Sequence, residues 1–295
     1  MANLMSKKWW FFVLSFLVIL PGVTSLILFG LNLGVDFSGG ALLEYKFEKN
    51  LGREEVQQQF TQNKIEVSSI VPTDKNTYII KTKPLDDQKI TQLKKDLNKS
   101  FGKIEEVRVE RVGPVIGTET TRNAVIAVVL ASVMIVIYLA IVFRKIPKPA
   151  SSWRFGITAV LALLHDVLLL VGVFSILGHF LKVEIDVLFI TALLTVIGFS
   201  VHDTIVVFDR IRENLPKYLS KKFEDVANIS ITQTLARSLN TSLTVVFVLL
   251  ALLLFGGDTI RWFVVALLIG IVSGTYSSIF NATALLVLWE DKLGH

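Results

Sequence analysis

A chain of 295 residues with 52% hydrophobic side chains and a mean hydropathy of +0.60 is too apolar for an ordinary soluble domain and predicts a multi-span membrane protein. The absence of cysteine excludes a disulfide framework, a zinc–thiolate cluster and a thiol nucleophile. A formal charge of +5 and a pI near 9.3 do not indicate nucleic acid, because acids and bases balance between Asp36 and Glu119 and the excess surrounds the apolar runs.

The first apolar run, Trp10–Leu31, follows Lys7 and Lys8 as a signal peptide would. It is too long for one and no Ala-x-Ala site closes it, so an uncleaved signal anchor is predicted. Pro21 and Gly22 interrupt it, a break that bundles tolerate when neighbours satisfy the freed backbone groups.

A polar stretch, residues 34–119, comes next. "ALLEYKFE" (41–48) alternates as a strand does, and "REEVQQQFTQN" (53–63) reads as a helix with charge in its first turn. "EVSSIVPT" (66–73) and "TYIIKTK" (77–83) read as a hairpin around "DKN". "DDQKITQLKKDLNKSF" (86–101) carries a helical stripe of Ile90, Leu93, Leu97 and Phe101, and "KIEEVRVERV" (103–112) alternates again. The order βαββαβ predicts a ferredoxin-like split βαβ unit. It holds no paired carboxylates or nucleophile–base set, and the "SGG" at Ser38–Gly40 is a weak phosphate loop because no helix follows it. Two roles suit such a domain: a structural cap, or a surface that binds extended polypeptide at a sheet edge.

Five further runs are long enough to cross a bilayer: Asn123–Phe143, Phe155–Leu177, Val187–Phe208, Ser238–Phe255 and Trp262–Leu288. Lys7, Lys8, Arg144, Lys145, Lys148, Arg154, Arg210, Arg212, Lys217, Lys221 and Lys222 fall on one side of these spans. Lys182, Arg261 and the helix-end Arg122 fall on the other, so both termini are predicted to be cytoplasmic. The predicted fold is a polytopic α-helical membrane protein of six transmembrane helices, with an α+β ferredoxin-like extracytoplasmic domain between the first and second. Its parts are residues 1–33 (N-terminus and first span), 34–119 (outer domain) and 120–295 (a five-helix bundle). The connection at residues 209–234 is expected to lie along the cytoplasmic interface as an amphipathic helix.

Polar residues inside the apolar runs are the functional candidates, since a carboxylate at the bilayer centre costs about 2.5–3.5 kcal/mol on insertion scales. Asp203 shares a helical face with Ser200, Val207 and Arg210, and His202 stands beside it. Thr234, Arg237, Asn240, Thr241 and Thr244 form a stripe on the fifth span, expected to face Asp203 in the bundle interior. An Asp203–Arg237 pair suits either a proton relay or a fixed ion pair. In the third span, His165 suits an interhelical hydrogen bond, and Asp166 either a relay or a structural role. No i,i+4 histidine pair supports a metal site. Gly270 and Gly274 of the sixth span form a Gly-xxx-Gly packing face, continued by Ser278 and Ala282.

"GVDFSGG" (34–40), "LLHDVLLLVG" (163–172), "GFSVHDTIVVFDRIREN" (198–214) and "RSLNTSLT" (237–244) together resemble the SecF family of the bacterial SecDF translocation motors, within the resistance–nodulation–division superfamily. The resemblance covers nearly the whole chain. It implies a SecD partner, work beside the SecYEG channel and the SecA ATPase on a translocating unfolded polypeptide, and protons as the coupling ion with no other cofactor. It implies the bacterial cytoplasmic membrane, or a thylakoid in a photosynthetic source. It places the family's relay aspartate on Asp203, its arginine on Arg237 and its hydroxyl on Thr241, with His202 where many relatives have asparagine. Asn240, Asp166 and His165 stand as relay support. Two other classes compete. A small-molecule exporter of the superfamily would want twelve spans in one chain, and an intramembrane aspartyl hydrolase would need Asp166 and Asp203 to share a proton at about 3 Å.

Overall fold

The computed structural model describes residues 4–74, 76–147 and 150–292. Lys75 of the expected hairpin turn and Lys148 of the basic loop lie outside the described residues. Six helices are long and apolar enough to cross a membrane. They are α1 (Lys8–Phe29), α5 (Pro114–Val142), α6 (Ser152–Leu181), α7 (Val187–Asn214), α8 (Phe223–Phe255) and a last span made of α9 (Arg261–Tyr276), a π turn (Ser277–Asn281) and α10 (Ala282–Asp291). Between α1 and α5 the order is α2 (Val35–Ser38), β1 (Gly40–Phe47), α3 (Arg53–Gln62), β2 (Val67–Asp74), β3 (Thr77–Thr82), α4 (Asp87–Phe101) and β4 (Ile104–Val112). By contact the chain divides into two compact units: residues up to Asn32 together with those from Ala127 onward, and Leu33–Ile126.

The helices outrun the apolar segments, because a helix ends where its backbone hydrogen bonds end and not where hydropathy falls. This corrects the expected interfacial helix at residues 209–234. Its first part continues α7 to Asn214, a short turn at Leu215–Lys217 carries Pro216, and α8 begins at Phe223. Pro216 has no N–H to extend the α7 ladder. Phe223 is buried and meets Phe155 in an edge contact, within an aromatic cluster that includes Phe143 and Phe208.

Small residues set the helix spacing. A Cβ on Gly172 of α6 would lie 2.8 Å from the Cα of Gly22 of α1, so the two backbones touch there. The Ser25 and Ser175 hydroxyls meet at 2.9 Å one turn further on. Without a hydrophobic force between helices in lipid, such close packing and interhelical hydrogen bonds hold a bundle. One end is stapled by charge. Arg154 Nη1 donates to the fully buried Glu290 Oε2 at 2.5 Å, and Lys8 Nζ reaches Glu224 at 2.9 Å and Asp291 at 3.1 Å. These pairs tie the ends of α1, α6, α8 and α10.

In the second unit, four antiparallel strands lie in the order β2-β3-β1-β4. Alternation places Ala41, Leu43, Tyr45 and Phe47 of β1 on the buried face, against Val56 and Phe60 of α3 and Ile90, Leu93 and Leu97 of α4. Glu55 reaches back to the Gly52 N–H at 2.9 Å to start α3. Gly102, with φ 88°, ends α4. Residue Val107 is extra where β4 pairs with β1, a bulge between Glu44 and Tyr45 that leaves its side chain exposed. Gly40 has φ +134°, and any Cβ there would lie 2.6 Å from the Thr82 carbonyl oxygen, so the strand can start only on glycine.

Two outcomes follow from these contacts. Truncating Arg154 to Ala removes a buried charge partner of Glu290 and should destabilise the bundle by about 3–5 kcal/mol. The double variant Arg154→Met with Glu290→Leu should recover most of that loss in thermal unfolding of the purified protein. In the second unit, Tyr45 is fully buried with an unpartnered hydroxyl, and burial pushes its pKa from 10.0 up to about 12. The phenolate is disfavoured only in the folded state. Its contribution is therefore complete below about pH 10 and falls away as pH rises to about 12, by roughly 2–3 kcal/mol. Hydrogen exchange of β1 should show that alkaline loss in the wild type and not in Tyr45→Phe, which should match or exceed wild-type stability at neutral pH.

Candidate functional site

α7 and the last span pack on matched four-residue steps. Val196, Ser200 and Thr204 of α7 face Gly270, Gly274 and Ser278 in turn. A Cβ on Gly270 would lie 2.2 Å from Val196, and one on Gly274 would lie 3.2 Å from Ser200. Ser278 donates to the Ser200 carbonyl at 2.9 Å, and Thr204 donates to Ser278 at 2.9 Å. The missing Cβ atoms let hydroxyls of the last span reach two buried carboxyls.

Asp203 is 2% exposed. Its carboxyl borders the hydroxyls of Thr275 and Ser242, which bond to each other at 2.6 Å, and its Oδ2 has no hydrogen-bond partner. Asp166 is fully buried and heavily bonded. Its Oδ2 accepts from Ser200 at 2.5 Å and Ser277 at 2.6 Å. Its Oδ1 meets His165 Nδ1 at 2.9 Å and Ser273 at a long 3.5 Å. Asn281 Nδ2 donates to Ser15 at 2.5 Å and lies 3.1 Å from His165 Nε2. His165 thus bridges Asp166 through Nδ1 and Asn281 through Nε2.

The fifth-span expectation needs correction. Among the described residues no ion pair joins Asp203 to Arg237, and Arg237, Asn240, Thr241 and Thr244 are exposed on this chain. The buried seam of α8 runs instead through Thr234, Ser238 and Ser242. Both stripes begin at Thr234. A three-residue step turns one way around a helix and a four-residue step the other, and α8 packs along the four-residue step, where small serines allow close approach. Arg237 lines a groove of about 350 Å³ with Asp209, Arg210, Glu213 and Gln233. Thr241 donates to the Arg237 carbonyl at 3.0 Å and Thr244 to the Asn240 carbonyl at 2.7 Å, so both hydroxyls serve their own helix. His202 is exposed beside the buried Asp203.

His165 makes the interhelical bond expected of it, and it also orients Asp166. Asp166 and Asp203 share no hydrogen bond; each has its own hydroxyl neighbours, unlike an aspartyl dyad. Sequence reading did not pick out Ser200, Ser273 and Ser277 as partners of Asp166, or Ser242 and Thr275 as neighbours of Asp203. The available signal was "SGTYSS" (273–278), hydroxyls on every side of one helix, beyond what packing alone needs.

Residues 92–292 match the family described as protein export membrane protein SecD/SecF, C-terminal, and residues 24–50 match the SecD/SecF GG motif. The protein translocase subunit SecF of Thermobaculum terrenum is 48% identical, over 99% of this chain and 95% of its own length. The SecDF subunit of Bacillus subtilis is 36% identical over 97% of this chain and 38% of its own length. The crystal structure of SecDF from Thermus thermophilus, described as translocon-associated, superposes with a TM-score of 0.86 at 34% identity, covering 98% of this chain and 39% of that one. A SecDF structure in a super-membrane-facing form gives 0.71 at 33% identity, over 99% of this chain and 39% of that one. The chain thus spans about two-fifths of the SecDF chains and 95% of the Thermobaculum terrenum SecF subunit. This multi-pass membrane protein belongs to the SecD/SecF family of protein-export membrane proteins.

Proposed function

We propose that this chain is the SecF subunit of a Sec translocase, which with SecD uses the proton motive force to complete protein translocation after the ATP-dependent step of SecA at SecYEG. The observation that carries the reading is Asp203: a carboxyl 2% exposed inside a membrane-spanning helix, with one oxygen unpartnered. A carboxyl so placed is costly as a purely structural element, and its open oxygen suits a proton that comes and goes. One proton crossing is worth about 2.3 kcal/mol per 100 mV, enough to bias a bundle whose states differ by a few kcal/mol.

The exposed polar residues support a partner. Arg237, Asn240, Thr241, Thr244 and His202 would be costly against lipid, and a SecD bundle laid over them would enclose them. The sheet order β2-β3-β1-β4 with helices α3 and α4 on one core supports the ferredoxin-like reading of the 34–119 domain. The basic loops support an extracytoplasmic place for it and cytoplasmic termini, in a bacterial cytoplasmic or thylakoid membrane. Its edge strands β2 and β4 suit contact with extended polypeptide.

Asp203→Asn keeps the shape and hydrogen bonding but cannot ionise. Gradient-stimulated export into inverted vesicles should vanish in that variant while assembly with SecD survives; equal stimulation in variant and wild type would remove Asp203 from the coupling. His202→Asn should reduce stimulation only mildly. Deleting residues 41–112 should leave the spans inserted and abolish export stimulation, and a fully active, correctly inserted deletion would show that the domain transmits nothing.

A further inference from the structure

We propose that Asp166 is a second proton-holding carboxyl, whose charge sets the direction of the hydrogen bond to Ser277 and thereby the α-to-π junction of the last span. The inference rests on the proton-coupling reading for its purpose but on separate residues for its content.

Asp166 has four hydrogen-bonding neighbours, three hydroxyls and an imidazole, and a hydroxyl can either donate to a carboxylate or accept from a carboxylic acid. A buried carboxylate held by fixed donors would lose a bond on protonation. Here one donor has an alternative. The Ser277 hydroxyl, 2.6 Å from Asp166 Oδ2, also lies 3.2 Å from the Gly274 carbonyl oxygen. When a proton binds Oδ2, the new O–H donates to Ser277 Oγ, and the Ser277 hydrogen turns to Gly274. The charge is neutralised and no polar group is orphaned. A group with a satisfied network in both protonation states can change state at low cost inside a bundle, where an orphaned partner would be expensive.

Ser277 opens the π turn, and its backbone N–H already bonds the Gly274 and Ser273 carbonyls. A second donor arriving at the Gly274 oxygen competes with that backbone bond where the α ladder gives way to the π ladder. π turns inside helices are frequent at functional sites. The groups facing Asp166 are few. His165 comes from its own helix, Ser200 from α7, and Ser273 and Ser277 from the last span, with Ser15 of α1 beyond Asn281. Other titratable side chains on these packed helices include Asp203 on α7 and Tyr276 on α9, whose hydroxyl donates to the Phe11 carbonyl at 2.9 Å. His165 and Ser273 also line an open, largely apolar cavity of about 560 Å³ beside α1.

The test uses the complex with SecD in lipid nanodiscs and infrared difference spectra between high and low pH, read at the protonated-carboxyl stretch. Asp203→Asn should retain a band that Asp166→Asn with Asp203→Asn lacks. Ser277→Ala in the Asp203→Asn background should shift that band, since it removes the partner that reverses. Identical spectra for the single and double variants, or a band insensitive to Ser277→Ala, would overturn the proposal. Failure of the coupling reading has a different sign: Asp203→Asn would then keep gradient-stimulated export, whatever the Asp166 band does.

Discussion

Two carboxyls lie where water is scarce, and the cost of keeping them there shapes the bundle around them. An unpaired buried charge costs several kcal/mol even after relaxation, so every helix touching Asp166 or Asp203 brings hydroxyls or packs to let hydroxyls approach. α7 supplies Ser200, α8 supplies Ser242, and the last span supplies Ser273, Thr275 and Ser277. The glycines belong to the same requirement. Without Gly274 facing Ser200, the last span would stand off and the Asp166 bonds near 2.5 Å would open.

The two carboxyls are solved differently. Asp166 has partners at both oxygens, including an imidazole that also meets Asn281. Asp203 has an open oxygen, neutral hydroxyl neighbours and an exposed histidine beside it in sequence. Asp203 keeps an open oxygen, and Asp166 keeps a partner, Ser277, that has a second acceptor within reach. Their link is the last span, which touches both and changes its helical ladder between them and α10.

The second unit follows the rules of a water-soluble domain. Its core is one cluster of aliphatic and aromatic side chains between a twisted sheet and two helices, and hydrophobic burial does the work there that small-residue packing does in the spans. Tyr45 is the exception, a phenol at a position where phenylalanine would fill the space without stranding a hydroxyl.

Much was legible in the chain itself. Hydropathy alone marked six spans, because length and apolarity are what a bilayer demands. Alternation and the Ile90–Leu93–Leu97 stripe marked the strands and helices of the second unit, because periods of two and 3.6 are local properties. Asp166 and Asp203 stood out as carboxylates in apolar surroundings. What the sequence left undecided was which face of each span meets which neighbour. On α8 the polar residues at Arg237, Thr241 and Thr244 compete with those at Ser238 and Ser242, and both sets lie on helical stripes. Only the packed bundle chose the second set, since the inward face is fixed by how closely α8 can approach α7 and α9, a property of three helices at once. The serines around Asp166 lie up to 111 residues from it in sequence, and no local period records a distance of that kind.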